Sequence, residues 1–444
     1  MSFKETILDE YVKVQGGYAY KSGDFIENSS YPVLRIKNVG FGEILYSDTA
    51  FISEYLAKST LEWKVKKGDL LISMTGSNFN APNSLVGRVA RVWENKDAWI
   101  NQRVGRIKPK EDNLISLDFV YYLLSQKAIQ HFLVANSTGS GNQANISAKT
   151  IGLVPCPKID FITSEKISSF LIKFDEKIIK NNQINETLEA MAQAIFKSWF
   201  VDFDPVKAKV SAREAGLDSD AINRAAMRVI ASKTDSELDD MQAESSAEYA
   251  NLQTTASHFP DELVESELGM IPKGWEVKEV GKLLTRLPTG KRYSKKDVQY
   301  DGSVPVYEQG VNILLGFHNK EADLMATLDE PYFIFGDHTC ITYLISHPFS
   351  VSQNVIPLKG ENVSTYWVFY AIQGKQTFQE YKRHWSDLQI QIVVKPKQDL
   401  LINFFGKTIR RIQLLKESNL EQNFTLTKLR DSLLPKLLSG EIEV

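Results

Sequence analysis

The stretch Ile167-Ser-Ser-Phe-Leu-Ile-Lys-Phe-Asp-Glu-Lys-Ile-Ile-Lys-Asn-Asn-Gln-Ile-Asn-Glu-Thr-Leu-Glu-Ala-Met-Ala-Gln-Ala-Ile-Phe-Lys-Ser-Trp199 organises the whole chain. Ile167, Phe174, Leu188 and Ile195 form a seven-residue row, and Leu171, Ile178, Ala192 and Trp199 form a second. Each row is broken once, by Asn181 and by Asn185. Two apolar rows at this spacing predict a long helix with a coiled-coil seam. The pattern returns near the C-terminus, where Phe405, Ile412, Leu426 and Leu433 are interrupted at Asn419. Ile409 and Leu437 belong to the second row there, broken by Lys416, Asn423 and Arg430. A shift of 238 residues lays Asn181 on Asn419 and Asn185 on Asn423. An amide in an apolar seam costs stability but restricts register, so these four asparagines are candidate register residues; a solvated stretch of helix is the plainer alternative.

What precedes each helix is duplicated too. Tyr31-Pro-Val-Leu-Arg-Ile-Lys-Asn-Val39 alternates like a strand, and Ser303-Val-Pro-Val-Tyr-Glu-Gln-Gly-Val311 stands in the same place in the second half. Leu70–Gly76 corresponds to Tyr332–His338, the Ile100–Ile107 strand to Val351–Pro357, the short helix Asp118–Leu124 to Thr365–Ala371, and Ile146–Pro157 to Trp385–Pro396. No single match is persuasive, but their shared order is. The expected fold is α+β: two similar strand-rich globular domains separated by two long antiparallel helices with pseudo-two-fold symmetry. The boundaries read as 1–160, a helix over 161–203, an acidic helical insert or linker over 204–267, a second globular domain over 268–400, and a helix over 401–444. A helix from Ser164 to Phe200 would be roughly 55 Å long. One turn of B-DNA is roughly 34–36 Å. An antiparallel pair of such helices predicts two readers spaced along one duplex; a coiled coil that merely joins two domains is the alternative.

Composition narrows the class. The chain has 444 residues, 43% hydrophobic and 24% charged, as in an ordinary soluble protein. Its two cysteines, Cys156 and Cys340, cannot make a zinc site alone. Met1–Glu10 lacks the apolar core of a signal peptide, and no apolar run reaches membrane-span length, so a cytoplasmic protein is expected. Ten acidic residues and no Lys or Arg lie between Thr234 and Glu267; the net charge of −3 becomes +7 once those ten carboxylates are set aside. A modestly basic body is compatible with nucleic-acid binding without requiring it.

Three motifs make the reading specific. Leu188-Glu-Ala-Met-Ala-Gln-Ala-Ile-Phe-Lys-Ser-Trp-Phe-Val-Asp-Phe-Asp-Pro-Val206 closely resembles the central conserved region of type I restriction-modification specificity subunits. Glu267-Leu-Gly-Met-Ile-Pro-Lys-Gly-Trp-Glu-Val277 resembles the entry to such a subunit's second target-recognition domain. Leu426-Thr-Lys-Leu-Arg-Asp-Ser-Leu-Leu-Pro-Lys-Leu-Leu-Ser-Gly-Glu-Ile442 is similar to the family's C-terminal conserved region. The resemblance implies a non-catalytic DNA-binding subunit that recognises a bipartite target with an unread spacer. It implies two methyltransferase subunits as partners, with or without restriction subunits. S-adenosylmethionine and ATP are expected in those partners, and no cofactor or metal in this chain.

The residue-level expectations follow from chemistry. Base readout needs paired donors and acceptors, such as Arg on guanine and Asn or Gln on adenine, while phosphate contacts need Lys, Arg or loop amides. The DNA-binding candidates in the first domain are Thr75, Ser77, Asn78, Gln102, Arg103, Ser140, Asn142 and Gln143. In the second they are Lys291, Arg292, Lys295, Gln309, His338, Thr339, Gln353, Asn354, Lys382 and Arg383. Solvated surface loops are the alternative for each. Phe196, Trp199, Phe200, Phe203, Leu434 and Leu438 bring large apolar area to the helix ends, only some of which the heptads explain; they are candidates for partner binding, with domain packing as the alternative. An enzyme is disfavoured. There is no Pro-Pro dipeptide for an amino-methyltransferase loop, no Walker P-loop at Gly290-Lys291, and no metal-ligand spacing among the six histidines.

Overall fold

The computed structural model describes residues 3–78, 86–139, 143–310, 312–376, 378–379 and 382–443. The chain forms two compact units, Met1–Lys180 with Gln422–Val444 and Asn181–Glu421.

Two long helices span Phe161–Phe200 and Leu400–Ser439. Asp160 starts the first: its carboxylate accepts the Thr163 amide at 2.9 Å and the Thr163 hydroxyl at 2.8 Å. These bonds hold the Asp160 carboxyl below its usual range. Gly440 in the left-handed region ends the second helix, while Phe203, three residues past the end of the first, adopts that conformation where the next helix begins. Within the first unit, Ile167 and Leu171 share a core with Leu434, Leu437 and Leu438, and Asp175 is ion-paired with Arg430. Within the second unit, the Asn419 amide donates to Asn185 Oδ1 at 2.8 Å, and Lys416 meets Glu189 at 2.6 Å. Residue numbers rise on one helix as they fall on the other, so the helix segments are antiparallel in each unit.

The duplication is structural. In the first unit one sheet orders its strands Val12–Gly16, Val104–Pro109, Leu70–Ser73, Val89–Arg91. In the second the equivalent order is Leu284–Arg286, Val355–Gly360, Tyr332–Gly336, Thr342–Ile345. A further sheet in each contains one parallel pair, Pro32–Leu34 with Trp99–Ile100 and Val304–Tyr307 with Pro348–Val351. A two-stranded ribbon closes each domain, Glu5–Ile7 with Pro155–Pro157 and Trp275–Glu279 with Ile392–Pro396. The short helix is present in both, as Leu117–Leu124 and Thr365–Ala371, and its buried side chains join the core beneath the sheet.

The acidic segment is an ordered part of the second unit and not a linker. It folds as helices Asp204–Glu214, Ser219–Ala231, Asp235–Glu244 and Ser246–Ser257 around Ala226, Met227, Leu238, Leu252 and Ala256. Arg224, from the helix before the acidic run, pairs with Asp235 and Asp239. Lys209 is buried and donates to the Phe259 carbonyl at 2.7 Å; burial pushes its ammonium down to about 8.

Candidate nucleic-acid interface

Four backbone hydrogen bonds recur in the two units. In the first, the Asn101 amide donates to Leu34 O at 3.0 Å and the Tyr18 amide to Ile100 O at 2.9 Å. The Met74 amide donates to Arg103 O at 2.9 Å, and the Ile146 amide to Met74 O at 3.0 Å. In the second, the Ser352 amide donates to Tyr307 O at 2.9 Å and the Tyr293 amide to Val351 O at 3.2 Å. The Asp337 amide donates to Asn354 O at 3.0 Å, and the His384 amide to Asp337 O at 2.9 Å. Asn101-Gln102-Arg103-Val104 and Ser352-Gln353-Asn354-Val355 are therefore turns at the same place in the two copies. In each, the first residue is bridged to a neighbouring segment and the two central residues are exposed.

The turns are closed differently. In the first unit Gly17 lies so near that an added Cβ would stand 2.1 Å from Asn101 O, so only glycine fits. In the second the equivalent residue is Arg292. Its Nη1 donates to Val355 O at 2.7 Å and to Ser352 O at 3.1 Å, and burial lowers its guanidinium below the usual range. Arg292, expected at phosphate, thus clamps the turn from within. Asn354 has φ of 60°, a conformation that asparagine tolerates better than most residues.

Around the second turn an open cleft of about 400 Å³ is lined by Arg286, Arg292, Asp337, Gln353, Asn354, Arg383, Trp385 and Ser386. Asp337 shapes its wall by accepting the amides of His384 at 3.1 Å and Trp385 at 3.0 Å. The Arg383 side chain is 76% exposed and lies 3.9 Å from Asp337 Oδ2. Arg286 is exposed and was not among the sequence candidates; its signal was a cation at the end of the Leu284–Arg286 strand. Gln309 Oε1 accepts the His338 amide at 3.0 Å, which ties two candidates together, while Thr339 lies partly buried beside Gly336. Lys291 is ion-paired with Asp297, and Lys382 with Asp387 at 2.6 Å. The Asp297 carboxyl is held far below its usual range by the Lys291 ammonium first and Ser294 next. Lys295 is exposed.

In the first unit Gln102, Arg103 and Gln143 are exposed. Thr75 and Ser77 are corrected: both are buried, because Thr75–Ser77 is a strand paired with Gln143–Asn145, and Thr75 Oγ1 lies 2.8 Å from Asn145 Oδ1. Asn78 follows that strand and is half-buried. Ser140 and Asn142 lie outside the described residues.

The partner-surface candidates are corrected as well. Phe196, Trp199, Phe200 and Phe203 are buried with Phe405, Trp275 and Trp367 in the second unit's own core. Leu434 and Leu438 are buried in the first unit's core. Their surplus apolar area is explained by the globular domains that pack on the helix segments. Among the described residues no His, Cys, Asp or Glu cluster is suited to a metal ion, and no helix is long and apolar enough to cross a membrane.

Residues 2–190 match the family model described as "Type I restriction modification DNA specificity domain". The chain is 29% identical over 412 residues to the type I restriction enzyme HindI specificity subunit of Haemophilus influenzae, covering 85% of this chain and 87% of that protein. It is 23% identical over 480 residues to the MjaIX specificity subunit of Methanocaldococcus jannaschii, covering 100% and 96%. Among solved structures, the S subunit of a type I restriction-modification system from M. genitalium shares the fold, with a TM-score of 0.50 at 14% identity over 99% of this chain and 96% of that one.

Proposed function

Because the chain belongs to the family of type I restriction-modification specificity subunits, a targeting and not a catalytic component, we propose that each unit reads one half of a split DNA site across bases left unread. The bound chain directs two partner methyltransferase subunits to that site, and restriction subunits where the system has them. S-adenosylmethionine and ATP are held by those partners. The observation that carries this reading is the repeated turn: two units built on the same strand order present an exposed turn at the same place, with a glutamine in both and Arg103 in one where the other has Asn354. A single-site reader has no use for two such copies, whereas a split-site reader needs the same scaffold twice and different bases at each. The exposed cations Arg286, Lys295 and Arg383 supply the phosphate attraction that makes such binding salt-dependent.

The test is to co-express the chain with cognate methyltransferase subunits and map methylation genome-wide. Replacing residues 1–160 with those of another specificity subunit should change one half of the methylated motif and leave the other half intact. Methylation by the chain alone, or a change in both halves, sinks the proposal.

A further inference from the structure

We propose that the two central residues of each repeated turn determine the bases read: Gln102 and Arg103 for one half-site, Gln353 and Asn354 for the other. This rests on the split-site reading above and names its specificity residues.

The backbone of each turn is tied down on every side. The strand before it is held in a parallel pair, its first residue is bridged to the segment carrying Tyr18 or Tyr293, and the carbonyl of its third residue accepts an amide from the end of the central strand. The side chains between these anchors are exposed. Base discrimination requires donors and acceptors held at fixed positions, because a mobile side chain adapts to several bases. Several of the other candidates are used otherwise: Thr75 and Ser77 are buried, Arg292 clamps backbone carbonyls, and Lys291 and Lys382 are ion-paired.

The chemistry differs between the copies. Arg103 presents the fork that matches guanine O6 and N7, and Gln102 the amide that matches adenine N6 and N7. Gln353 and Asn354 are both amides, which fits adenine at both positions. Arg286 and Arg383, in the same cleft as Gln353 and Asn354, are placed to hold the flanking phosphates. The first half-site should therefore contain a guanine that Arg103 selects, and the second should depend on adenines.

The experiment uses the full chain co-expressed with its methyltransferase subunits, with the methylated motif read genome-wide. In Arg103→Lys the charge is kept and the fork is lost, so selection of one guanine should relax about tenfold or more while the other half-site is unchanged. In Gln353→Ala with Asn354→Gly the glycine keeps the left-handed backbone, and adenine selection should relax only in the other half. Unaltered stringency in both variants overturns the assignment. So does a uniform fall in methylation at every site, the result expected of phosphate contacts. If the unaltered complex yields no split motif, the functional reading has failed and not the residue assignment.

Discussion

Phe200→Ala separates a core aromatic from a partner-facing one. Phe200 is 3% exposed and its ring lies 5.2 Å from Phe196, 5.5 Å from Phe405, 5.8 Å from Trp275 and 5.8 Å from Trp367. A buried aromatic removes roughly 150–200 Å² from water. At about 25 cal/mol per Å² that is ~4–5 kcal/mol. Measured Phe-to-Ala losses of about 3–5 kcal/mol agree, and the crowded rings around the site leave little room for collapse. With a urea slope of about 2 kcal/mol per molar, the midpoint of the second unit should fall by roughly 2 M. Tryptophan fluorescence of the chain without partners is the assay, since Trp199, Trp275 and Trp367 share this core. Phe200→Leu should lose less than half as much, because it keeps most of the volume. A wild-type midpoint combined with lost methyltransferase binding would refute the core assignment and restore the partner surface.

Three further outcomes follow. Asn419→Leu removes the donor to Asn185 Oδ1 and should cost about 1–2 kcal/mol in urea melts, while the double variant with Asn185→Leu should recover most of it. Asp337→Ala strips the acceptor from two amides and releases Arg383, so it should loosen Trp385–Gln389, cost about 1–3 kcal/mol in the same melts and weaken DNA binding. For Glu417, burial raises its pKa, but hydrogen bonds from His347, Ser346 and Gln413 outweigh this and leave the carboxyl below its usual value. A depressed carboxylate stabilises the fold above its unfolded-state pKa and loses that contribution as pH falls through the folded value. The second unit's urea midpoint should accordingly drop as pH falls below the usual glutamate range, with Glu417→Gln flattening that part of the curve; an identical slope in both proteins would overturn the account.

The heptads carry their message in sequence because a helix seam is a local, periodic pattern; the helices and the broken apolar rows follow from it, whereas the bond between Asn419 and Asn185 is seen only in the structure. The duplicated element order was legible for the same reason. The roles of single polar residues were not. Arg292 and Arg383 look alike in sequence, yet one is spent on two carbonyls and the other is exposed. Phe200 reads equally as core or as surface until Trp275 and Trp367, distant in the chain, are seen to enclose it.

The features written in periodicity and motif are therefore legible in the sequence: two copies of a mixed domain, two long helices, and a resemblance to type I specificity subunits. Only the tertiary structure decided which side chains remain available to a ligand. Availability depends on long-range partners, such as the carbonyls of Ser352 and Val355 for Arg292, and no local pattern encodes them. The repeated turn shows the same limit. Its anchors pair Tyr18 with Ile100 and Tyr293 with Val351, Met74 with Arg103 and Asp337 with Asn354, at spacings that differ between the copies because the intervening loops differ in length. No single shift of the sequence aligns them; the hydrogen bonds do.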